Sequence, residues 1–330
     1  MPKPRSEQIS LEDTPFYHCV SRTVRGAFLC GIDNATGRSF ERRRKWLEKR
    51  ILYLSQQFSI DVAAYAVMSN HLHVVLHVDM DKVQRWSDKK VVKQWHGLFK
   101  GTYITQKFAK NEPIETYELD RLNERIAEYR SRLISISWFM RALNEPMART
   151  ANEEDDCTGH FWEGRFKSQA LLDEAAVLAC MTYVDLNPVR AKMANTPEDS
   201  HYTSIKQRID AAHKSKQPDN LLPFIGNEQK IHDTLSRQRK GLLFDVKDYI
   251  TLVNDMGRIQ RDDKRGFIHE STANILERLN IPLENWQKIT QEFKYLFTGP
   301  VGTLENVTQY HQHLGRKRRS YLSCCQHWPN

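Results

Sequence analysis

The sequence predicts an α+β domain built on an antiparallel sheet. Two observations lead to this fold class: strand-like runs rich in aromatic and β-branched residues, and long helical patterns that separate only some of them. The elements follow in the order strand, helix, hairpin, helical section, strand, helix. A parallel sheet would require strands and helices to alternate strictly, so the mixed order favours the antiparallel arrangement.

The first four elements follow from residue type and spacing. Residues 16–24 form a strand-like run between Pro15 and Gly26. A helix is predicted after Phe40, because the following apolar residues recur on one helical stripe: Leu47, Ile51, Leu54 and Phe58. The runs 60–67 and 71–78 are predicted to pair as a hairpin, since the step between them is short.

The middle of the chain is predicted to be mainly helical. Residues 81–132 are polar and charged with an apolar stripe at heptad-like spacing, and they are interpreted as a helical insertion. The next helix is expected to end or kink at Pro146. Residues 159–172 suit a strand or hairpin, and Asp173 is an N-cap candidate for a helix that should be disrupted around Pro188.

The chain is predicted to have two parts. A polar stretch with the composition of a linker follows residue 211, and we place the boundary at residue 205, with a first domain at 1–205 and a mainly helical extension at 206–330. The extension is a candidate DNA-binding region. It contains two helical patterns and a basic run, at 231–256, 272–297 and 316–319.

Composition favours an acidic polymer as partner. Lys and Arg number 49 against 41 for Asp and Glu, for a formal net charge of +8 and a pI near 9.1. This excess suits nucleic acid, although an ordinary basic soluble protein has the same balance. No apolar run approaches the roughly 20 residues of a membrane span, so a cytoplasmic location is expected. The six cysteines lack CxxC spacing and are interpreted as reduced thiols.

Two histidines on the second strand of the hairpin form a candidate metal site. Side chains two apart on a strand project from the same face, about 6.5 to 7 Å apart at Cα, so His71 and His73 can converge on one ion. His77 keeps this parity but lies about 13 Å from His73, too far to join them. Ordinary half-buried histidines have the same spacing, so both interpretations stay open on spacing alone.

A second candidate lies on the last helix of the first domain. Tyr183 and Asn187 are four residues apart, so a hydroxyl and an amide oxygen would face the same place if the helix runs through both. Taken by itself, this segment is better explained by a tyrosine that packs in the ordinary way with its hydroxyl at the surface. Spacing therefore does not distinguish Tyr183 among the 12 tyrosines of the chain.

Three segments taken together resemble a known family. They are AYAVMSNHLHVVLHV, FWEGRFKS and YVDLNPVRA, in that order along the chain. They are similar to motifs of the HUH endonuclease superfamily (histidine, hydrophobic residue, histidine), specifically the single-tyrosine transposases of the insertion-sequence type. The likeness is greatest to the REP-associated tyrosine transposases, and it covers roughly residues 14–205.

The resemblance implies both a fold and an activity. The implied fold is a ferredoxin-like or RRM-like antiparallel sheet with helices on one face, the histidine pair on a central strand and the tyrosine on a following helix. The implied activity is metal-dependent cutting and joining of single-stranded DNA, at hairpin-containing repeats, through a covalent 5′-phosphotyrosine. Tyr183 is the implied nucleophile, and His71 and His73 are implied metal ligands. Asn187 is the implied third ligand, at a position where some members carry glutamine.

Two imidazoles and an amide oxygen suit Mg²⁺ or Mn²⁺.

Five residues near the motifs are candidate DNA contacts. Arg165, Lys167 and Arg190 would contact phosphates, and Trp162 and Phe166 would stack on unpaired bases, although both aromatic residues suit an ordinary core as well.

Two other functions stay open at this point. One is a noncatalytic RRM-like nucleic-acid-binding protein, and the other is a replication initiator or relaxase of the same superfamily. The helical insertion and the extension depart from a minimal single-tyrosine transposase, which leaves the oligomeric state open. A monomer that uses its own Tyr183 is favoured over a homodimer.

Overall fold

A computed structural model describes residues 4, 8–24, 29–32, 37–226, 240–259, 270–315, 325 and 328. Four strands form one sheet: β1 (Phe16–Arg22), β2 (Ile60–Val67), β3 (His71–Val78) and β4 (Lys167–Ala170). Their order is β2-β3-β1-β4, and each neighbouring pair is antiparallel. With a helix after β1 and helices between β3 and β4, this is the ferredoxin-like arrangement. The predicted α+β fold class is confirmed.

The α-helices in the described part of the chain follow in order. They are α1 (Glu41–Gln57), α2 (Met80–Gln84), α3 (Asp88–His96), α4 (Tyr103–Ala109), α5 (Leu119–Arg132), α6 (Ile136–Glu154), α7 (Glu174–Asp185), α8 (Asn187–Arg190), α9 (Ser204–Ala212), α10 (Val246–Ile259), α11 (Glu270–Arg278), α12 (Leu283–Leu296) and α13 (Leu304–His313). Helices α2 to α5, with a short 3-10 turn at Thr116–Glu118, occupy the segment predicted as a helical insertion.

One face of the sheet is covered by α1 and α6. Alternate β3 residues Leu72, Val74 and Leu76 project into this core, where the predicted apolar stripe of α1 meets them. Ile126 of α5 reaches the same core, together with the other buried members of its own stripe. The alternating apolar residues of the strand and the apolar stripe of the helix thus pack against each other in one layer, as the sequence predicts.

The opposite face of the sheet is covered by α7. Its residues from Ala175 to Asp185 are all buried, which fits a helix that is apolar on every side. The β2 residues beneath it are Ala63, Ala64 and Ala66, with a register shift between Val62 and Ala64. These small side chains allow α7 to lie close to the sheet. Helices α1 and α6 form the predicted layer, and α7 adds a second one.

Pro146 lies inside α6 and does not end it, so of the two expected outcomes, an end or a kink, the end is wrong. A proline has no N–H, and the carbonyl four residues earlier therefore loses its helical donor. That carbonyl belongs to Ala142, and Arg50 Nε of α1 donates to it at 3.1 Å. A side chain from the neighbouring helix thus replaces the missing backbone hydrogen bond.

Segments from the C-terminal half of the chain cover both edges of the sheet. At the β2 edge, the backbone N–H of Leu222 donates to Val62 O at 2.8 Å. At the β4 edge, Val301 donates to Ala170 O at 2.9 Å and accepts from Leu172 N at 2.8 Å. Helices α10, α11 and α12 bury their apolar residues in the same core as α7, so the extension packs directly on the face that carries the tyrosine.

Two features named from the sequence fall partly or wholly outside the described residues. The basic run 316–319 is one of them, and residues 231–239 of a predicted helical pattern are the other. In the part of the chain that the structure describes, no helix is both long enough and apolar enough to cross a membrane.

The contact between Arg50 and the Ala142 carbonyl should be coupled to Pro146. We expect Arg50→Leu to lower the free energy of unfolding by about 1 to 3 kcal/mol, because it leaves the carbonyl without a donor. In a Pro146→Ala background the helix supplies its own N–H, so Arg50→Leu should lower the free energy of unfolding by a smaller amount. Urea unfolding of the four proteins in this cycle, with the exposed Lys49→Leu as control, measures the coupling. Equal costs in both backgrounds would contradict this account.

Candidate active site

The candidate site lies between β3 and α7. His73 projects from β3 on the side of α7, because Leu72 and Val74 take the opposite face. Asp173 caps the start of α7 as predicted, accepting from Ala176 N at 2.8 Å. The helix ends at Asp185, where Leu186 joins it to α8. Tyr183 and Asn187 therefore stand on either side of this junction, one turn apart.

The four residues implied by the resemblance converge in space. Asn187 Nδ2 lies 3.0 Å from His73 Nε2, and the rings of Tyr183 and His73 meet edge to face with centroids 5.7 Å apart. The His71 and His73 rings are also perpendicular, with centroids 4.8 Å apart. These residues come from segments more than 100 positions apart in sequence, as the 114-residue separation of His73 and Asn187 shows.

His18 of β1 is a further histidine of this site that sequence reasoning missed. Its Nε2 lies 2.9 Å from His73 Nδ1, and the two rings are stacked with centroids 5.1 Å apart. On its other side, His18 Nδ1 lies 3.3 Å from Gln169 Oε1 of β4. The sequence contained one signal for His18: side chains alternate along a strand, so His18 and Arg22 lie on the same face of β1. This alternation does not tell which strand lies beside β1, so it could not place His18 next to His73.

Tyr183 is covered by two residues from different parts of the chain. Phe293 of α12 stacks on its ring with centroids 5.2 Å apart, and the Arg190 guanidinium lies 4.0 Å from the ring centroid. Arg190 also donates to the backbone carbonyls of Tyr183 and of Thr290 on α12. As a result the tyrosine is only 6% exposed.

Burial dominates the electrostatics of the site. It lowers the pKa of His71 to about 4, with the positive charges of Arg22 and Lys294 acting in the same direction. Burial likewise lowers the pKa of His73 far below its usual value and that of His18 to about 4. All three imidazoles are therefore neutral at pH 7, and a neutral imidazole has the lone pair that a metal ligand needs.

The pKa of the Tyr183 phenol is raised above its usual value. Burial is the main cause, and the neighbouring Arg190 guanidinium and a hydrogen bond with Asn187 act in the opposite direction without cancelling it. Burial also lowers the pKa of Arg190 to about 10, which leaves this side chain protonated at pH 7. A fixed positive charge therefore faces the phenol, where it would stabilise a developing phenolate.

The donor atoms suit a divalent ion only if Asn187 takes part. Among the described residues, no three His, Cys, Asp or Glu side chains are placed to hold a metal ion. Two ligand atoms that bind an octahedral ion at about 2.1 Å on adjacent positions lie about 3.0 Å apart. The Asn187 amide and His73 Nε2 are 3.0 Å apart, and the amide can turn to present its oxygen. The residues present therefore fit a mixed imidazole and amide site.

The five predicted DNA contacts occupy different surroundings. Lys167 and Arg165 are exposed, and Lys167 pairs with Val20, which pairs in turn with His73. Lys167 is therefore two strands from His73, about 10 Å away. Trp162 and Phe166 are partly buried against the α1 and α6 core.

Trp162 and Arg190 each make intramolecular hydrogen bonds. The Trp162 indole N–H donates to Asn144 O at 2.9 Å, so this ring is held by α6. Arg190 binds backbone carbonyls beneath α12. The DNA-contact roles of all five residues stay predictions.

Sequence and structure comparisons give limited matches. No protein-family model matches the chain, and no curated protein matches it in sequence. Among solved structures, a REP-associated tyrosine transposase bound to a REP hairpin is similar with a TM-score of 0.37 and 11% sequence identity, over 64% of this chain and 87% of that chain.

Arg190 should hold α12 against α7. Arg190→Met keeps the length of the side chain but removes the hydrogen bonds that join Tyr183 O to Thr290 O, and should lower the free energy of unfolding by about 1 to 3 kcal/mol. Hydrogen exchange of the α12 amides should accelerate more than that of α1. Lys247→Met, an exposed change on α10, is the control. Unchanged α12 exchange in Arg190→Met would contradict this role.

Proposed function

We propose that this protein is a metal-dependent enzyme that cuts and rejoins single-stranded DNA through a covalent tyrosine intermediate, as a tyrosine transposase does. Tyr183 is the nucleophile, and His71, His73 and Asn187 hold Mg²⁺ or Mn²⁺. The proposed substrate is single-stranded DNA that carries hairpins at repeated sequences.

The convergence of Tyr183, Asn187 and His73 is the observation that supports this proposal most. A phenol, an amide and a neutral imidazole meet across β3 and α7, with His71 beside them. A purely structural tyrosine would have no need of two neighbouring histidines and an amide. The alternative of a noncatalytic nucleic-acid-binding protein does not account for this grouping.

The chemistry follows from the charges of a phosphodiester. A divalent ion held by His71, His73 and Asn187 would supply positive charge that offsets the charge growing on the phosphate in the transition state. Tyr183 Oη attacks the phosphorus and loses its proton to solvent water. The bond from phosphorus to the DNA 3′ oxygen breaks, and that oxygen takes up a proton from solvent water, so the step balances. Arg190 stabilises the phenolate character of the attacking oxygen.

Joining is the same step run backwards. A phenol with a pKa near 10 is a better leaving group than a sugar alkoxide, so a DNA 3′-OH can attack the phosphotyrosine and release Tyr183. The 5′-phosphate stays on the enzyme between the two steps. This polarity follows the family that the motifs resemble.

Positive side chains line the approach to the site. Among the histidines of the site, His71 is partly exposed. Arg22 of β1 lies opposite His71 of β3 in the sheet. Arg22 is half exposed, with a loose ion pair to Glu163 at 3.6 Å. Lys294 lies on the α12 side, near enough to influence both histidines. Together with Lys167, these charges suit the phosphates of a DNA strand.

The nucleophile and the histidines of the site belong to one chain. The Tyr183 ring contacts His73 of the same chain, so no tyrosine from a second copy is needed to complete the group. This arrangement supports action by a monomer. A homodimer that exchanges tyrosines remains the alternative.

Removal of the Tyr183 hydroxyl should abolish the covalent adduct. We expect wild-type protein with Mg²⁺ or Mn²⁺ to attach to labelled single-stranded hairpin DNA from the flanks of its own gene, and Tyr183→Phe to form none. The adduct is measured as a labelled, denaturation-resistant band, with EDTA as the metal control.

Tyr117→Phe is the matched control for this experiment. Tyr117 lies in the 3-10 turn Thr116–Glu118 and is 84% exposed, so loss of its hydroxyl should leave the adduct unchanged. An equal adduct in Tyr183→Phe would make the nucleophile assignment wrong. Hairpin binding without any metal-dependent adduct would favour the noncatalytic DNA-binding alternative.

Asn187 should contribute to metal affinity through its oxygen. We expect Asn187→Leu to weaken Mn²⁺ binding by at least about tenfold, and Asn187→Asp to retain it, because aspartate keeps an oxygen donor. Mn²⁺ electron paramagnetic resonance on the DNA-free protein measures both. His77→Leu is the control, since His77 contacts Asp61 outside the site. Wild-type affinity in Asn187→Leu would remove this residue from the ligand set.

A further inference from the structure

We infer that Gln169 and His18 are positioning residues that fix the tautomer of His73, so that its Nε2 presents a lone pair towards Asn187. This inference deepens the proposed function, because Nε2 is the atom that would bind the metal. It depends on three consecutive hydrogen bonds across β4, β1, β3 and the start of α8, and on two further bonds from Gln169 to backbone carbonyls.

The orientation of the Gln169 amide is set by two backbone carbonyls. Its Nε2 lies 2.8 Å from Phe297 O and 2.6 Å from Gly299 O. Only the amide NH₂ can donate to these two acceptors, whereas an oxygen in the same place would face two other oxygens. The Gln169 Oε1 is therefore the atom directed at His18.

The tautomer of His18 follows from this orientation. Gln169 Oε1 carries no hydrogen, so the contact at 3.3 Å requires His18 Nδ1 to donate. A neutral imidazole has one N–H, and burial disfavours the charged form. His18 Nε2 therefore has a lone pair and accepts.

The tautomer of His73 follows in the same way. His18 Nε2 and His73 Nδ1 are 2.9 Å apart, and since the first accepts, the second must donate. His73 Nε2 is then the unprotonated nitrogen. Asn187 Nδ2 lies 3.0 Å from it and can donate to it, so every bond in the series has one donor and one acceptor.

The opposite tautomers would disrupt the Gln169 end of the series. His18 Nδ1 would turn a lone pair towards Gln169 Oε1, and Gln169 cannot turn over because its NH₂ is held by two carbonyls. His18 and His73 are only 5% and 4% exposed, so water cannot readily replace the lost partners, and an unpaired buried polar group is unfavourable. The observed geometry therefore selects one tautomer for each ring.

Tautomers can be read directly by NMR. Full-length protein with ¹⁵N-labelled histidine, kept in EDTA at pH 7, should show His18 and His73 in the Nδ1–H form through long-range ¹H–¹⁵N correlations. An Nε2–H form of His73 in the wild-type protein would overturn the inference. This measurement needs no variant and no metal.

Variants test whether the two residues act through His73. His18→Leu and Gln169→Leu should each weaken Mn²⁺ binding by about 10- to 100-fold, the usual effect of losing a partner behind a metal ligand. His18→Gln can return an oxygen acceptor near the former Nε2 position and should restore much of the affinity. His77→Leu should bind as wild type.

The possible failures are distinguishable. Wild-type Mn²⁺ affinity in a folded His18→Leu protein would overturn the positioning role. The expected tautomers combined with no Mn²⁺ binding by the wild-type protein would support the positioning role and contradict the metal-dependent function. If His18→Leu does not fold, the wild-type tautomers still decide the inference.

Discussion

The site depends on how closely α7 approaches the sheet. Three alanines of β2 and a register shift beneath them make room for a helix whose residues are buried on every side. This contact brings Tyr183 and Asn187 over His73, although more than 100 residues separate them from His73 in the sequence. A larger side chain in place of Ala64 or Ala66 would push the helix outwards, and the phenol and the amide would move with it.

The extension takes part in the same construction. Phe293 covers Tyr183, and the carbonyls beyond α12 orient Gln169, which contacts His18. Arg190 joins α7 to α12 through backbone carbonyls. The C-terminal half of the chain is therefore a structural component of the candidate site, and its packing affects Tyr183 and the histidines together.

Local patterns predicted the strands and most helices because they depend on neighbouring residues. The hairpin of β2 and β3, the cap at Asp173 and the break before α8 all follow from such signals. Of the predicted strand or hairpin at 159–172, only β4 (Lys167–Ala170) is a strand in the structure. Helix α6 continues through Pro146, where Arg50 supplies a donor from another helix. His18 and Phe293 reach the site only through long-range packing, which no local spacing reveals. The resemblance indicated Tyr183 and Asn187, and the structure brings them together with the histidines.

Covered sheet edges have a consequence for any partner of this protein. An exposed edge strand presents unpaired backbone groups to which another chain can add a strand. Here Leu222 bonds to one edge and Val301 to the other, both from the protein's own chain. A second protein therefore finds these backbone groups already paired. To add a strand at these points it would have to displace segments of the protein's own chain, which disfavours strand addition, the route by which many sheet proteins aggregate.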